Sequence, residues 1–264
     1  MQRSNTYTIL FAAAVCLVCA IFVSGAAVAL KPLQEANKRL DVQKKVLNVS
    51  GAAEGEKLNK TTIPELFEQR IRATLIDLET GKPVEGADAT DFDQKKATKD
   101  PKTSRSAPKN SAGIPRVPYQ AVVYEWVENE EVKALVLPIE GKGLWSTLYG
   151  FIALDKDTTT IKGITFYQHG ETPGLGGEID NPRWKALWAD KKVFAEGDFS
   201  SPKIEVVKGQ ADRNKPEAQA HHIDGLAGAT ITSRGVGNLV QFWMGEKGFG
   251  PYLTLYRGDE GGGS

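Results

Sequence analysis

The sequence predicts an α+β domain, an antiparallel sheet with flanking helices, behind a single N-terminal transmembrane helix. Three observations carry this expectation. Tyr7 to Leu30 contains no charged residue and is mostly Ala, Val, Leu, Ile, Phe and Cys. Residues 119–167 hold four apolar or alternating runs joined by two short polar turns, the pattern of consecutive hairpins. Helical spacing brackets those runs on both sides, which places helices and sheet in one layered arrangement.

The apolar run of about two dozen residues, at ~1.5 Å rise each, is long enough for a ~30 Å hydrocarbon layer. Ala27-Val-Ala29 resembles a signal-peptidase site, but signal h-regions are shorter, about 7–15 residues. An uncleaved anchor over residues 1–31 is therefore expected. Val18 stands where a lipoprotein box around Cys19 would want a small residue. Flanking charge is unhelpful for orientation. Arg3 lies on one side, Lys31, Lys38, Arg39, Lys44 and Lys45 on the other. By itself that bias places the large domain in the cytoplasm, though large domains translocate largely regardless of charge.

Pro32 suits the first turn of a helix, and Leu33, Ala36, Leu40 and Leu47 then recur at helical spacing, so a juxtamembrane helix is expected to end before Ser50-Gly51. A second helix is expected over Ile63–Ala73, with Leu66, Phe67 and Ile71 on one face. Residues 85–115 are rich in Lys, Asp, Thr, Ser, Gly and Pro and read as an exposed loop with little core. Together these form a juxtamembrane region, residues 32–117.

The main domain is expected over residues 118–257. Tyr119–Val127 and Val132–Ile139 flank the turn Glu128-Asn-Glu-Glu131. Leu148–Leu154 and Ile161–Tyr167 flank Asp155–Thr160. Asn181–Trp188 reads as a short helix, Phe199–Val207 as another strand, and Ser233–Trp243 as a helix with Val236, Leu239, Val240 and Trp243 inward. A flexible tail is expected over 258–264.

Bulk composition narrows the function. The 264 residues include 33 basic and 33 acidic side chains, so no net charge favours nucleic acid through counterion release. Hydrophobic content of 41% supports an ordinary core. The two cysteines, Cys16 and Cys19, both fall in the anchor, so the rest of the chain offers no disulfide, thiolate zinc site or cysteine-ligated cluster. The CxxC spacing lacks the βαβ context of a thioredoxin-like site. Three histidines, with His221 and His222 adjacent, make a poor metal set. No GxSxG elbow is present.

Three segments can carry chemistry. Asp224-Gly-Leu-Ala-Gly-Ala-Thr-Ile-Thr-Ser233 puts small residues and the hydroxyls of Thr230, Thr232 and Ser233 before a helix. Unpaired N–H groups at a helix start suit a phosphate, though a plain capped helix explains the same residues. No Gly-Lys-[Ser/Thr] follows, so this is not a P-loop. His169-Gly-Glu-Thr-Pro-Gly-Leu-Gly-Gly-Glu178 is a glycine-rich loop after a strand, without the dinucleotide spacing. In Gly141-Lys-Gly-Leu-Trp-Ser146, Trp145 either stacks on a ligand or fills the core, and the residues alone favour the core.

Taken together, these segments resemble the family of C subunits of bacterial Na⁺-translocating NADH:quinone oxidoreductases. The similarity runs through Ala29-Leu-Lys-Pro32, Asn37-Lys-Arg-Leu-Asp-Val-Gln43, Gly143-Leu-Trp-Ser146, Glu171-Thr-Pro-Gly-Leu-Gly176, the stretch Asp224 to Thr232, and Phe242-Trp-Met-Gly-Glu-Lys-Gly-Phe-Gly-Pro-Tyr-Leu253. In that family a [Ser/Thr]-Gly-Ala-Thr signal carries FMN on its last threonine through a phosphoester, which the resemblance maps to Thr230. Ala227 departs from the usual Ser or Thr, a position that is not the linking atom. The resemblance also implies that Trp145, Ser146, Glu171, Thr172, Leu175, Gly176, Lys208, Gly228, Ala229 and Thr232 line the flavin.

It further implies an electron relay between an iron centre among the membrane subunits and flavin in the B subunit, on the way to ubiquinone, coupled to sodium export. Subunits A, B, D, E and F would be partners, B, D and E above all. A separate Mg²⁺-dependent flavin transferase would attach FMN from FAD, and the domain would face the periplasm of the bacterial inner membrane. The related G subunit of Rnf complexes shares the motif, but the long stretch Leu33–Val117 and the Phe-Gly-Pro-Tyr ending favour the quinone-reductase family. A cofactor-free anchored scaffold and a free-standing flavoenzyme are the remaining alternatives.

Overall fold

In the computed structural model, residues 4–89 and 92–261 are described, and the chain divides into two units, Met1–Val42 and Gln43–Ser264. The first unit is helical. Helix α1 (Asn5–Ser50) is long and apolar enough to cross a membrane, and its side chains from Ile9 to Val28 include exposed Leu, Phe, Val and Ile throughout. Cys16 and Cys19 are both free and exposed on it. The sequence predicts that Pro32 starts a separate helix; instead it lies inside α1. A proline there removes one N–H donor, a local loss that the uninterrupted run of good helix formers on both sides outweighs.

The second unit begins with the last residues of α1, where Val46, Leu47, Val49 and Ser50 are buried. Helix α2 (Thr62–Arg70) follows and passes directly into strand β1 (Ile71–Asp77). The expected helix Ile63–Ala73 is thus three residues too long, because Ile71–Asp77 pairs in register with Gln120–Trp126 and cross-strand burial overrides the helical spacing.

The polar stretch 85–115 is also more ordered than its composition predicts. It holds α3 (Gln94–Lys99), capped where Asp93 Oδ1 accepts from Lys96 N at 3.1 Å, and β2 (Ser104–Ser106), which pairs with β3 (Arg116–Pro118). Ala112 and Ile114 are in the core. A few apolar side chains spaced between polar ones suffice to pin such a segment, which a composition count averages away.

The main sheet has the order β1-β4-β5-β6-β7, all neighbours antiparallel, with β4 (Gln120–Glu128), β5 (Glu131–Lys142), β6 (Thr147–Asp155) and β7 (Ile161–Gln168). Both expected hairpins form. In the first, Asn129 and Glu130 take φ of 51° and 66°, the doubly left-handed geometry whose twist suits a two-residue turn. In the second, Asp157 Oδ1 accepts from Thr159 N and Thr160 N at 2.8 and 2.7 Å.

One sheet face carries Tyr124, Phe151 and Tyr167, in edge and tilted ring contacts with each other and with Phe67 of α2. On the other face packs α6 (Thr230–Met244), with Val236, Leu239, Val240, Trp243 and Met244 buried. Its approach is close. A Cβ at Gly235 would lie 2.4 Å from the Lys142 carbonyl oxygen, and one at Gly141 would lie 2.5 Å from Leu239 Cβ.

Between β7 and α6 the chain forms a 3-10 turn (Gly176–Asp180), α4 (Pro182–Ala186), β8 (Glu205–Val206), α5 (Pro216–His221) and β9 (His222–Ile223), with β8 and β9 parallel. Trp184 and Trp188 are both buried, 5.7 Å apart in an edge contact. The strand expected over Phe199–Val207 shrinks to Glu205–Val206, since Ser200-Ser-Pro202 interrupts it and a proline cannot donate to a ladder. Helix α7 (Gly250–Gly261) follows and was not expected; it continues past Arg257 into the stretch read as a tail, whose residues 262–264 lie outside the described ones.

Candidate functional site

The site assembles where three segments meet: the β5–β6 turn, the loop after β7, and the start of α6. Its centre is Glu171, 6% exposed. One carboxylate oxygen accepts from Trp145 N at 3.0 Å and Ser146 N at 3.2 Å. The other accepts from Thr232 Oγ1 at 2.6 Å and from Leu144 N at 3.3 Å. Burial acts to raise the carboxyl's pKa, but these hydrogen bonds from Thr232, Trp145, Ser146 and Leu144 outweigh it and hold Glu171 below the usual carboxylate range. It is therefore a fixed anion tying two loops to a helix.

Glycines make room for that carboxylate. A Cβ at Gly176 would lie 2.7 Å from both Glu171 Oε2 and Thr232 Oγ1, and one at Gly143 would lie 2.6 Å from Glu171 Oε1. Ser146 adds a further tie, its Oγ accepting from Gly170 N at 2.7 Å. Thr172 is exposed, while its carbonyl shapes the loop by accepting from Leu175 N at 3.1 Å and Gly177 N at 2.9 Å.

Thr230 is the first residue of α6 and is exposed, and Ala229 before it gives this helix end no side-chain cap. The turn leading into it is set by Gly228 at φ +72°, and Leu175 Cδ2 would meet a Cβ there at 3.0 Å. Ser233 Oγ accepts from Leu226 N at 2.9 Å, and Asp224 Oδ1 accepts from Ala211 N at 2.8 Å, so the motif is braced at both ends. Ala229 and Thr232 are buried within it.

Two surfaces border Thr230. Leu144, Trp145, Leu175 and Ile231 are exposed by 43%, 71%, 45% and 58%. They belong to the same three segments and form the exposed apolar margin of the site. The expectation from the residues alone that Trp145 fills the core is thereby overturned: its backbone N–H is committed to Glu171, and its ring is left outside. The second surface is a cleft of about 310 Å³ between α6 and β8, lined by Thr230, Lys208, Arg234 and Asn238 among others. Lys208 thus shares a surface with Thr230 but not with the Glu171 cluster.

Sequence reading gave Gly143 no role within its segment and did not single out Arg234. Arg234 follows Thr230 by four residues, a helical spacing that could have flagged it. Gly143 was hidden because only the folded loop shows what a side chain there would strike. Among the described residues no group of His, Cys, Asp or Glu is arranged to hold a metal ion.

A family model described as an FMN-binding domain matches residues 143–245, which enclose all three site segments. The chain is 46% identical over 262 residues to the C subunit of the Na⁺-translocating NADH-quinone reductase of Pseudomonas aeruginosa, covering 98% of each. It is 44% identical over 252 residues to the protein of that name in Vibrio anguillarum, covering 95% of this chain and 94% of the relative. Among solved structures, NqrC of Shewanella oneidensis superposes with a TM-score of 0.76 at 34% identity, over 84% of this chain and 99% of that one. The C subunit from Parabacteroides distasonis gives 0.63 at 28% identity, over 85% and 97%. The chain therefore belongs to the family of C subunits of the Na⁺-translocating NADH-quinone reductase, a multi-subunit oxidoreductase, and carries its FMN-binding domain.

Proposed function

We propose that this protein is an electron carrier that holds FMN through a phosphoester to Thr230, within a complex that passes electrons from NADH to ubiquinone and exports sodium. The observation that carries the reading is the position of Thr230. Its exposed hydroxyl lies at an uncapped helix start, between an apolar margin and a cationic cleft.

The residues fit FMN. Leu144, Trp145, Leu175 and Ile231 offer exposed apolar side chains on which a flat ring system can rest, and exposed apolar surface of this kind marks binding sites. The N–H groups at the start of α6, with Lys208 nearby, suit a phosphate. When bound, FMN supplies one-electron redox chemistry. The chain's own part is to hold and orient it. Glu171 and Thr232 fix the turn bearing Trp145, and Gly176 lets the loop after β7 lie close to α6. Gly228 and Ala229 set the turn that presents Thr230. No general acid or nucleophile is needed after attachment.

Attachment would join the Thr230 oxygen to the flavin-side phosphorus of FAD as the pyrophosphate bond breaks and AMP leaves, with the hydroxyl proton passing to a base of the transferase. A separate Mg²⁺-dependent flavin transferase is the proposed catalyst. Ala227 is exposed on the turn, and it is not the residue that supplies the linking oxygen.

The proposed setting is a single-pass anchor in the bacterial inner membrane through α1, with the second unit in the periplasm, working with subunits A, B, D, E and F and most directly with B, D and E. The test is in-gel flavin fluorescence after denaturation, in chain co-produced with a flavin transferase. Wild type is expected to fluoresce and Thr230→Ala to be dark, with the label on the Thr230 peptide by mass spectrometry. A dark wild-type band rejects the reading.

A further inference from the structure

Resting on the assignment of Thr230 as the attachment residue, we propose that Arg234 is the counter-cation of the phosphodiester, and that the cleft between α6 and β8 is the phosphate's binding pocket. Thr230 and Arg234 both line that cleft. Four residues apart on α6, they lie on one face, with Cβ atoms about 5–6 Å apart by helical geometry. A guanidinium on its long stem reaches a group esterified to the threonine one turn away.

The side-chain amides in the cleft are already committed. Asn238 Nδ2 donates to the Ser111 carbonyl at 2.9 Å, and Gln241 Nε2 donates to the Ile204 carbonyl at 2.8 Å. Arg234 and Lys208 are exposed and take part in no ion pair among the described residues. Glu205 is the one carboxylate lining the cleft, so its two cations leave a surplus positive charge, matched by the single negative charge of a phosphodiester. Of the two cations, Arg234 is on the same helix as Thr230, and its planar fork can bond two phosphate oxygens at once.

None of the exposed apolar residues Leu144, Trp145, Leu175 and Ile231 lines this cleft. The site is thus divided at Thr230, with charge on the α6–β8 side and apolar surface on the Glu171 side. That division gives the bound group a fixed sense, phosphate toward Arg234 and ring toward Trp145.

The test uses full-length chain purified without flavin, labelled with a flavin transferase, FAD and Mg²⁺. The initial rate of covalent labelling is compared for wild type, R234K, R234Q and R234E. The expected order is Arg, Lys, Gln, Glu, with R234Q slower by roughly fivefold, the range of a partly exposed ion pair. The second readout is the ³¹P resonance of the labelled chains, expected to shift in R234Q and partly return in R234K. An unchanged ³¹P resonance in R234Q overturns the proposal even where labelling slows, because the slowing then reports contact with the transferase. Labelling that persists in Thr230→Ala overturns the attachment assignment itself, a result separable from any outcome at Arg234.

Discussion

Glu171 and Glu140 are buried to almost the same extent, 6% and 8% exposed, yet their chemistry diverges. Glu171 receives a hydroxyl and three backbone N–H groups and is held below the usual carboxylate range. Glu140 sits on the opposite face of β5 from Gly141 and α6, beneath α3. Burial pushes its carboxyl up to about 7, against the weaker opposing pull of Thr98, Lys95 and Lys99. Loss of water is common to both. The number of donors fixed toward the oxygens decides which one stays charged. One carboxylate has become a structural anchor at the candidate site; the other is a latent cost of the opposite face.

The contrast can be broken most severely at its charged end. Glu171→Ala leaves the Thr232 hydroxyl and three N–H groups without their acceptor. It is expected to cost about 3–4 kcal/mol in urea denaturation of the detergent-solubilised chain followed by tryptophan fluorescence. Glu171→Gln should recover part of that loss, since its amide oxygen can still accept from Trp145 N and Ser146 N while its NH₂ cannot accept from Leu144 N. A loss under 1 kcal/mol for the alanine variant would show that the loops do not depend on this anion.

At Glu140 the sign reverses. Its folded pKa, about 7, lies above the ordinary 4.5, so the folded state binds more protons between those values and stability falls as pH rises through that window. Glu140→Gln should match wild type near pH 4 and exceed it at pH 8 by about 2–3 kcal/mol. Equal denaturation midpoints at pH 8 would contradict the assignment. Glu171 acts in the opposite sense: its folded pKa lies below 4.5, so its contribution is complete above that value and is lost as pH falls below it. The smallest expected effect is at Gly176→Ala, where the added Cβ meets Glu171 Oε2 and Thr232 Oγ1 at 2.7 Å. It should destabilise by about 1–2 kcal/mol, and it sharpens the comparison if the loss shrinks at low pH, where Glu171 is protonated.

Much of the fold is legible in the sequence. The long apolar helix was readable because an uncharged run of that length reads as one helical span. The hairpins were readable because alternation and polar turns are local signals, as at Asn129-Glu130. Strand β1 was not, since Ile71–Asp77 carries helical spacing and becomes a strand only by pairing with β4. Helix α3 and the buried Ala112 and Ile114 were masked by the polar composition around them.

At the site the division is similar. Sequence by itself singled out three segments, all overlapping the stretch that the FMN-binding family model matches, and resemblance named Thr230 within them, because motif residues carry their chemistry in their types and order. Only the tertiary structure decided that Trp145 faces outward, that Thr232 and Leu144 to Ser146 converge on Glu171, and that Arg234 and Lys208 share a cleft with Thr230. Those are properties of residues far apart in the chain. Their environment, and with it their charge and exposure, exists only once sheet, loop and helix have closed on one another.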